Sequence, residues 1–200
     1  HLPTIQPLNP RYVISTPTLH GLTAGSGLSL LMERKVDIQK TIYDNARMHF
    51  LGNFPDSLPI EQAYVHIGMY LGWVIENGLY SDYFEAEAST EIFRFRRKEI
   101  SCTILSEIWN GYLAFEYLNN CGNSFTLFYY SSGLYRHDYE QVLGRGLPTI
   151  YHVEDTWPNY EKLKACINGR YAEWIRLKKL LQQASPDITI KNSRVLRVAV

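Results

Sequence analysis

Between Pro59 and Leu79 apolar side chains fall on nearly every side of a helix-length segment. Ala63, Val65, Ile67, Met69, Leu71, Trp73, Val74 and Ile75 leave no polar stripe. A surface helix is apolar along one stripe, and one that is apolar all round is enclosed by the rest of the protein. Glu61, Gln62, Glu76 and Asn77 near the ends, with Gly68 and Gly72 inside, make the segment a buried helix and not a membrane span. It carries a single histidine, His66.

The flanking pattern extends this reading. Asp56, Ser57 and Pro59 open the central helix and Gly78 closes it. A second helix is expected over 81–98, where Phe84, Ile92, Phe93 and Phe95 mix with many charges. Shorter helices are expected over 103–109, 113–119, 124–131 and 135–143, separated by Asn-Gly, Cys-Gly-Asn and Ser-Ser-Gly breaks. Thr156 caps a last helix whose Tyr160, Leu163, Ile167, Tyr171 and Trp174 form one face, until Ser185 and Pro186 stop it. Weak alternation over 188–200 leaves room for a short C-terminal strand or hairpin. The expected fold is mainly α: a single-domain helical bundle around a central buried helix.

Residues 1–31 differ from the rest, with four prolines, many Thr, Ser and Gly, Arg11 as the one basic side chain besides histidines, and no acid. They read as a leader or arm, with Met32 as a natural start of the protein proper. The division is therefore an arm over 1–31, a helical domain over 32–184 and a tail over 185–200.

Composition narrows function mainly by exclusion. Twenty Lys and Arg balance twenty Asp and Glu, so no overall basic field invites nucleic acid. Fifteen tyrosines and four tryptophans suit a recognition surface, though they also fill cores. Cys102, Cys121 and Cys166 are odd in number and widely spaced, which fits free thiols in a reducing compartment, the cytoplasm.

Motifs for nucleotide binding and for a serine nucleophile elbow are missing, so no cofactor and no catalytic residue is expected. His49, His66, His152 and Asp155, with Glu154 beside them, would supply nitrogen and oxygen metal ligands if their segments converge. The spacing gives no His-Glu-x-x-His pair, and histidines that hydrogen-bond loops and helix ends satisfy the same pattern. Arg94, Arg96, Arg97 and Lys98 follow Asp82, Glu85, Glu87 and Glu91, which predicts pairing along one solvated helix.

Several phrases carry a resemblance: Tyr43, Asp44, Asn45 and Ala46 with His49; Phe54 and Pro55 with Leu58 and Pro59; His66, Ile67 and Gly68 with Leu71 and Trp73; Gly122 to Phe125; and His152 with Glu154, Asp155, Thr156 and Trp157. Over about 43–176 the chain resembles a family of small bacterial domains of unknown function with the patterns His-Ile-Gly-x-x-Leu-x-Trp and His-x-Glu-Asp-Thr-Trp. The resemblance implies an immunity protein of a polymorphic toxin system, type VI or contact-dependent, that neutralises a cognate toxin by occlusion. The resemblance thus implies a binder and not an enzyme. Expected contacts are Tyr80, Asp82, Tyr83, Glu85, Glu87, Tyr129, Tyr130 and Tyr135, against a protein toxin and not nucleic acid or membrane. A homodimer would use the same residue types. The alternatives are a metal-binding domain or metal-dependent enzyme using the His/Asp set, and a chain that is itself part of a toxin.

Overall fold

The computed structural model describes residues 41–184. The expected arm over 1–31, and the expected strand within 185–200, lie outside the described residues.

The described part is mainly helical, with one small antiparallel sheet. Its centre is α2 (Val65–Glu76), entered through a tight 3₁₀ turn over Ile60–Ala63. Every residue of α2 from Val65 to Ile75 is buried, as the absence of a polar stripe predicts. Its end follows from backbone geometry: Gly78 takes φ +62°, its N–H reaches the Ile75 carbonyl and the Leu79 N–H reaches that of Val74. This paired closure leaves Leu79 buried beneath the helix it terminates.

Around α2 lie α3 (Asp82–Arg96), α4 (Cys102–Ile108), α5 (Asn120–Tyr129), α6 (Leu134–Val142) and α7 (Trp157–Ala184). Ser81, Ser101 and Asn119 start α3, α4 and α5 by accepting a first-turn N–H with their side chains. Thr156 does the same for the Asn159 N–H in α7. On α7, Tyr160, Leu163, Ile167 and Trp174 are buried at the expected spacing. α3 bends at Ala88, whose φ of −118° and ψ of 15° are not helical. Its basic end reaches outward from the helix: Arg96 donates to the Ile75 carbonyl, Arg97 pairs with Glu99 and Lys98 with Glu161.

α2 and α4 approach so closely that a Cβ on Gly68 would lie 1.9 Å from the Cys102 carbonyl oxygen. A Cβ on Gly72 would lie 2.4 Å from the Phe95 ring. An aromatic layer of Tyr70, Trp73, Phe125, Tyr129, Tyr135 and Trp174 fills much of the core. Polar tips within it are paired at two places: Trp73 Nε1 donates to Asn168 Oδ1 at 2.8 Å, and the Tyr70 and Thr126 hydroxyls lie 2.9 Å apart.

The structure corrects the expectation of a helix over 113–119. Tyr112–Ala114 form β2, paired with β1 (Ile42–Asn45), and a 3₁₀ turn over Phe115–Tyr117 follows. Asn110 and Gly111 both have positive φ, which a continuing helix forbids, and they swing the chain beside β1. The pairing sets Ile42 opposite Ala114 and Asp44 opposite Leu113, with a bulge between Ile42 and Asp44. Such a bulge re-aims the side chains that follow it. β1 then runs directly into α1 (Ala46–Phe50), started by the Asn45 side chain, which accepts the Arg47 N–H.

Candidate functional site

Three elements bring Asp44, His49 and His66 to one point. Asp44 leaves β1 just past the bulge, His49 follows one helical turn later in α1, and His66 sits near the start of α2. His49 Nε2 lies 2.6 Å from Asp44 Oδ1 and 3.2 Å from His66 Nε2, and His66 Nε2 lies 3.3 Å from Asp44 Oδ2. Two imidazole nitrogens and a carboxylate thus face one another with their lone-pair atoms in mutual contact.

Surrounding groups fix these orientations. The His49 Nδ1 is 2.9 Å from the Tyr151 hydroxyl, which leaves Nε2 to face the cluster. Asp44 Oδ1 accepts the Asn45 N–H at 2.7 Å, and Oδ2 accepts a short hydrogen bond from the Tyr130 hydroxyl. The Tyr135 hydroxyl donates to the His66 carbonyl at 2.5 Å, tying α6 to the start of α2. Two of the tyrosines that hold the cluster in place, Tyr130 and Tyr135, were expected in a binding surface.

Electrostatics give Asp44 and His66 different states. Burial would raise the Asp44 pKa, but hydrogen bonds with His49 and His66 hold it well below the usual carboxylate range. Burial pulls His66 below the usual imidazole range, against the pull of Asp44. The result is an ionised carboxylate beside a neutral buried imidazole, the forms in which both bind metal.

The cluster opens onto a cavity of about 240 Å³. His66, Tyr135 and Tyr139 are its buried side, Tyr43, Tyr130 and Ile150 are half-buried walls, and Ser131, Gly133 and Arg136 are exposed at its mouth. Ligands held at about 2.0–2.1 Å by a tetrahedral ion are about 3.3–3.4 Å apart. The 3.2 Å between the two Nε2 atoms is close to this, whereas Asp44 meets His49 with Oδ1 and His66 with Oδ2 and would have to swing away from His49 to present one oxygen to an ion shared by both. Three protein ligands with an open side toward a cavity are also the plan of catalytic zinc sites, and two histidines with one carboxylate form the ligand set of non-haem ferrous centres.

Of the histidine and aspartate set read from sequence, the structure brings His49 and His66 together and places His152 and Asp155 elsewhere. His152 Nδ1 is 2.9 Å from the Thr149 hydroxyl, and Asp155 Oδ2 accepts the Thr103 N–H at the start of α4, where a helix favours negative charge. Asp44 takes the carboxylate position instead. Nothing in periodicity marks it, since it is strand-borne and five residues from His49, but it belongs to the Tyr43–His49 phrase of the resemblance.

The residues expected to contact a partner divide. Asp82, Tyr83, Glu85 and Glu87 are exposed on α3, and half-buried Tyr80 bridges to Leu118 and takes the Arg96 guanidinium over its ring at 5.8 Å. Tyr130 is half-buried and committed to Asp44. Tyr129 and Tyr135 are corrected to core residues, 0% and 2% exposed, because their rings complete the aromatic layer. Among the described residues no helix is long and apolar enough to cross a membrane.

No curated protein and no solved structure matches the chain. A family model matches residues 42–153, a span that holds β1 through the turn at Tyr151 and with it Asp44, His49, His66, Tyr130 and Tyr151. The chain belongs to the family described as Domain of unknown function (DUF7832).

Proposed function

We propose that this domain binds a divalent transition-metal ion, zinc or ferrous iron by its ligand chemistry, through Asp44, His49 and His66. The observation that carries the reading is that His49 Nε2 and His66 Nε2 lie 3.2 Å apart and each meets one oxygen of the Asp44 carboxylate, Oδ1 at 2.6 Å and Oδ2 at 3.3 Å. Two imidazole nitrogens and a carboxylate turned to one point in a largely buried place are a donor set suited to a cation. An ion satisfies all three at once. Tyr151 and Tyr130 supply the outer hydrogen bonds that metal-bound histidine and carboxylate require. The cavity leaves the fourth side of the ion accessible, so that it can polarise a ligand or lower the pKa of a bound water.

The test is elemental analysis of protein purified without an affinity tag. The wild type should retain a single zinc or iron ion per chain, and Asp44→Asn and His66→Gln variants should retain none. A metal-free wild type that takes up no added ion would overturn the reading.

The occlusion reading is a separate proposal, carried by the motif resemblance and by the exposed Asp82, Tyr83, Glu85 and Glu87 on α3. Co-expression with a candidate toxin tests it, scored by survival and by co-purification. Death of the cells with no complex would remove that toxin as the partner.

A further inference from the structure

We propose that the cavity over Asp44, His49 and His66 receives a small oxyanion, a carboxylate or phosphate group on a flat apolar body, bound between the metal ion and Arg136. This rests on the metal-binding reading and adds the chemistry of the ligand to it. An ion held by Asp44, His49 and His66 would adjoin the cavity that they line, and Arg136 stands at the cavity mouth. Among the described residues the Arg136 guanidinium is held only by Glu140, Nε to Oε1 at 3.3 Å, in an exposed i,i+4 pair. Such a pair is weak and yields readily to a better-placed anion.

Two further features favour negative charge. Gly133 and Arg136 belong to the beginning of α6, where the aligned backbone amides present positive charge, and no acid stands in its first turn. Among the described residues Asp44 is the one carboxylate in the cavity lining, and a bound divalent cation would more than offset it. A guanidinium is suited to planar, bidentate recognition of carboxylate or phosphate.

The walls set the remainder of the ligand. Tyr43, Tyr130, Tyr135, Tyr139 and Ile150 present ring and aliphatic surface, which suits an aromatic or flat apolar group. At about 240 Å³ the cavity is below the range typical of drug-sized ligands, so the occupant is small.

The experiment is calorimetric titration of protein whose metal content has first been measured, with benzoate, phenyl phosphate, inorganic phosphate and neutral benzamide as probes. Benzoate or phenyl phosphate should bind saturably and benzamide should not, and the stronger of the two identifies the headgroup. Weaker binding of inorganic phosphate shows the contribution of the apolar body. Arg136→Gln should lower anion affinity about tenfold with metal content unchanged, and Arg136→Lys should recover part of it. Metal-loaded protein that binds none of the anions, or binds them equally in Arg136→Gln, overturns this inference and leaves the metal reading standing. Failure to take up metal at all overturns both.

Discussion

At the scale of single residues, the cluster depends as much on its neighbours as on its ligands. Tyr151 holds the His49 Nδ1 at 2.9 Å, so Tyr151→Phe should weaken metal binding about tenfold or more without unfolding the chain. Competition with a chromophoric chelator measures this, and unchanged affinity would show that the Tyr151 hydroxyl does not orient His49. Reactivity separates the thiols as well. Burial, with Asp155 nearby, pushes the Cys102 thiol well above its usual range, so native protein should resist alkylation there while Cys121 and Cys166, both half-buried, react sooner. Mass spectrometry after brief alkylation gives the order, and early modification of Cys102 would contradict its enclosure.

Between elements, the packing of α2 on α4 makes the closest approach at any described glycine. Gly68→Ala places a methyl group 1.9 Å from the Cys102 carbonyl oxygen, too near for either backbone to stay in place. The cost should be about 1–3 kcal/mol or more, read as a lower midpoint in denaturant unfolding. An unchanged midpoint would contradict the α2–α4 contact. This scale also separates what periodicity revealed from what it hid. The enclosed character of α2 was legible because every position from Val65 to Ile75 is apolar or small, apart from His66. The α7 face was legible from Tyr160, Leu163, Ile167 and Trp174. β1 and β2 were not, because strands of four and three residues are too short to show alternation and their pairing joins segments about seventy residues apart. Asp44 was hidden for the same reason, since its place in the site depends on that pairing and on the bulge beside it. Tyr129 and Tyr135 could not be told from surface tyrosines by sequence, because the residue type serves cores and interfaces alike.

For the whole molecule, the cluster links stability to pH. His66 titrates below the ordinary imidazole value when folded, so below about pH 6.5 the unfolded chain binds a proton that the folded chain refuses, and stability falls on acidification. Asp44 acts in the same direction in a lower window, since its depressed pKa stabilises the fold above about pH 3.9 and that contribution is lost below it. Chelator-treated protein should therefore melt at progressively lower temperature from pH 7 to pH 5, and His66→Asn should flatten that slope. An equal slope in the variant would place the pH sensitivity elsewhere.

The central claim, that Asp44, His49 and His66 form a metal site, is tested most directly by calorimetric titration of chelator-stripped protein with zinc. The account predicts saturation at a single ion per chain and loss of that binding in Asp44→Asn. A titration with no saturable binding, or one that Asp44→Asn leaves unaltered, would contradict it.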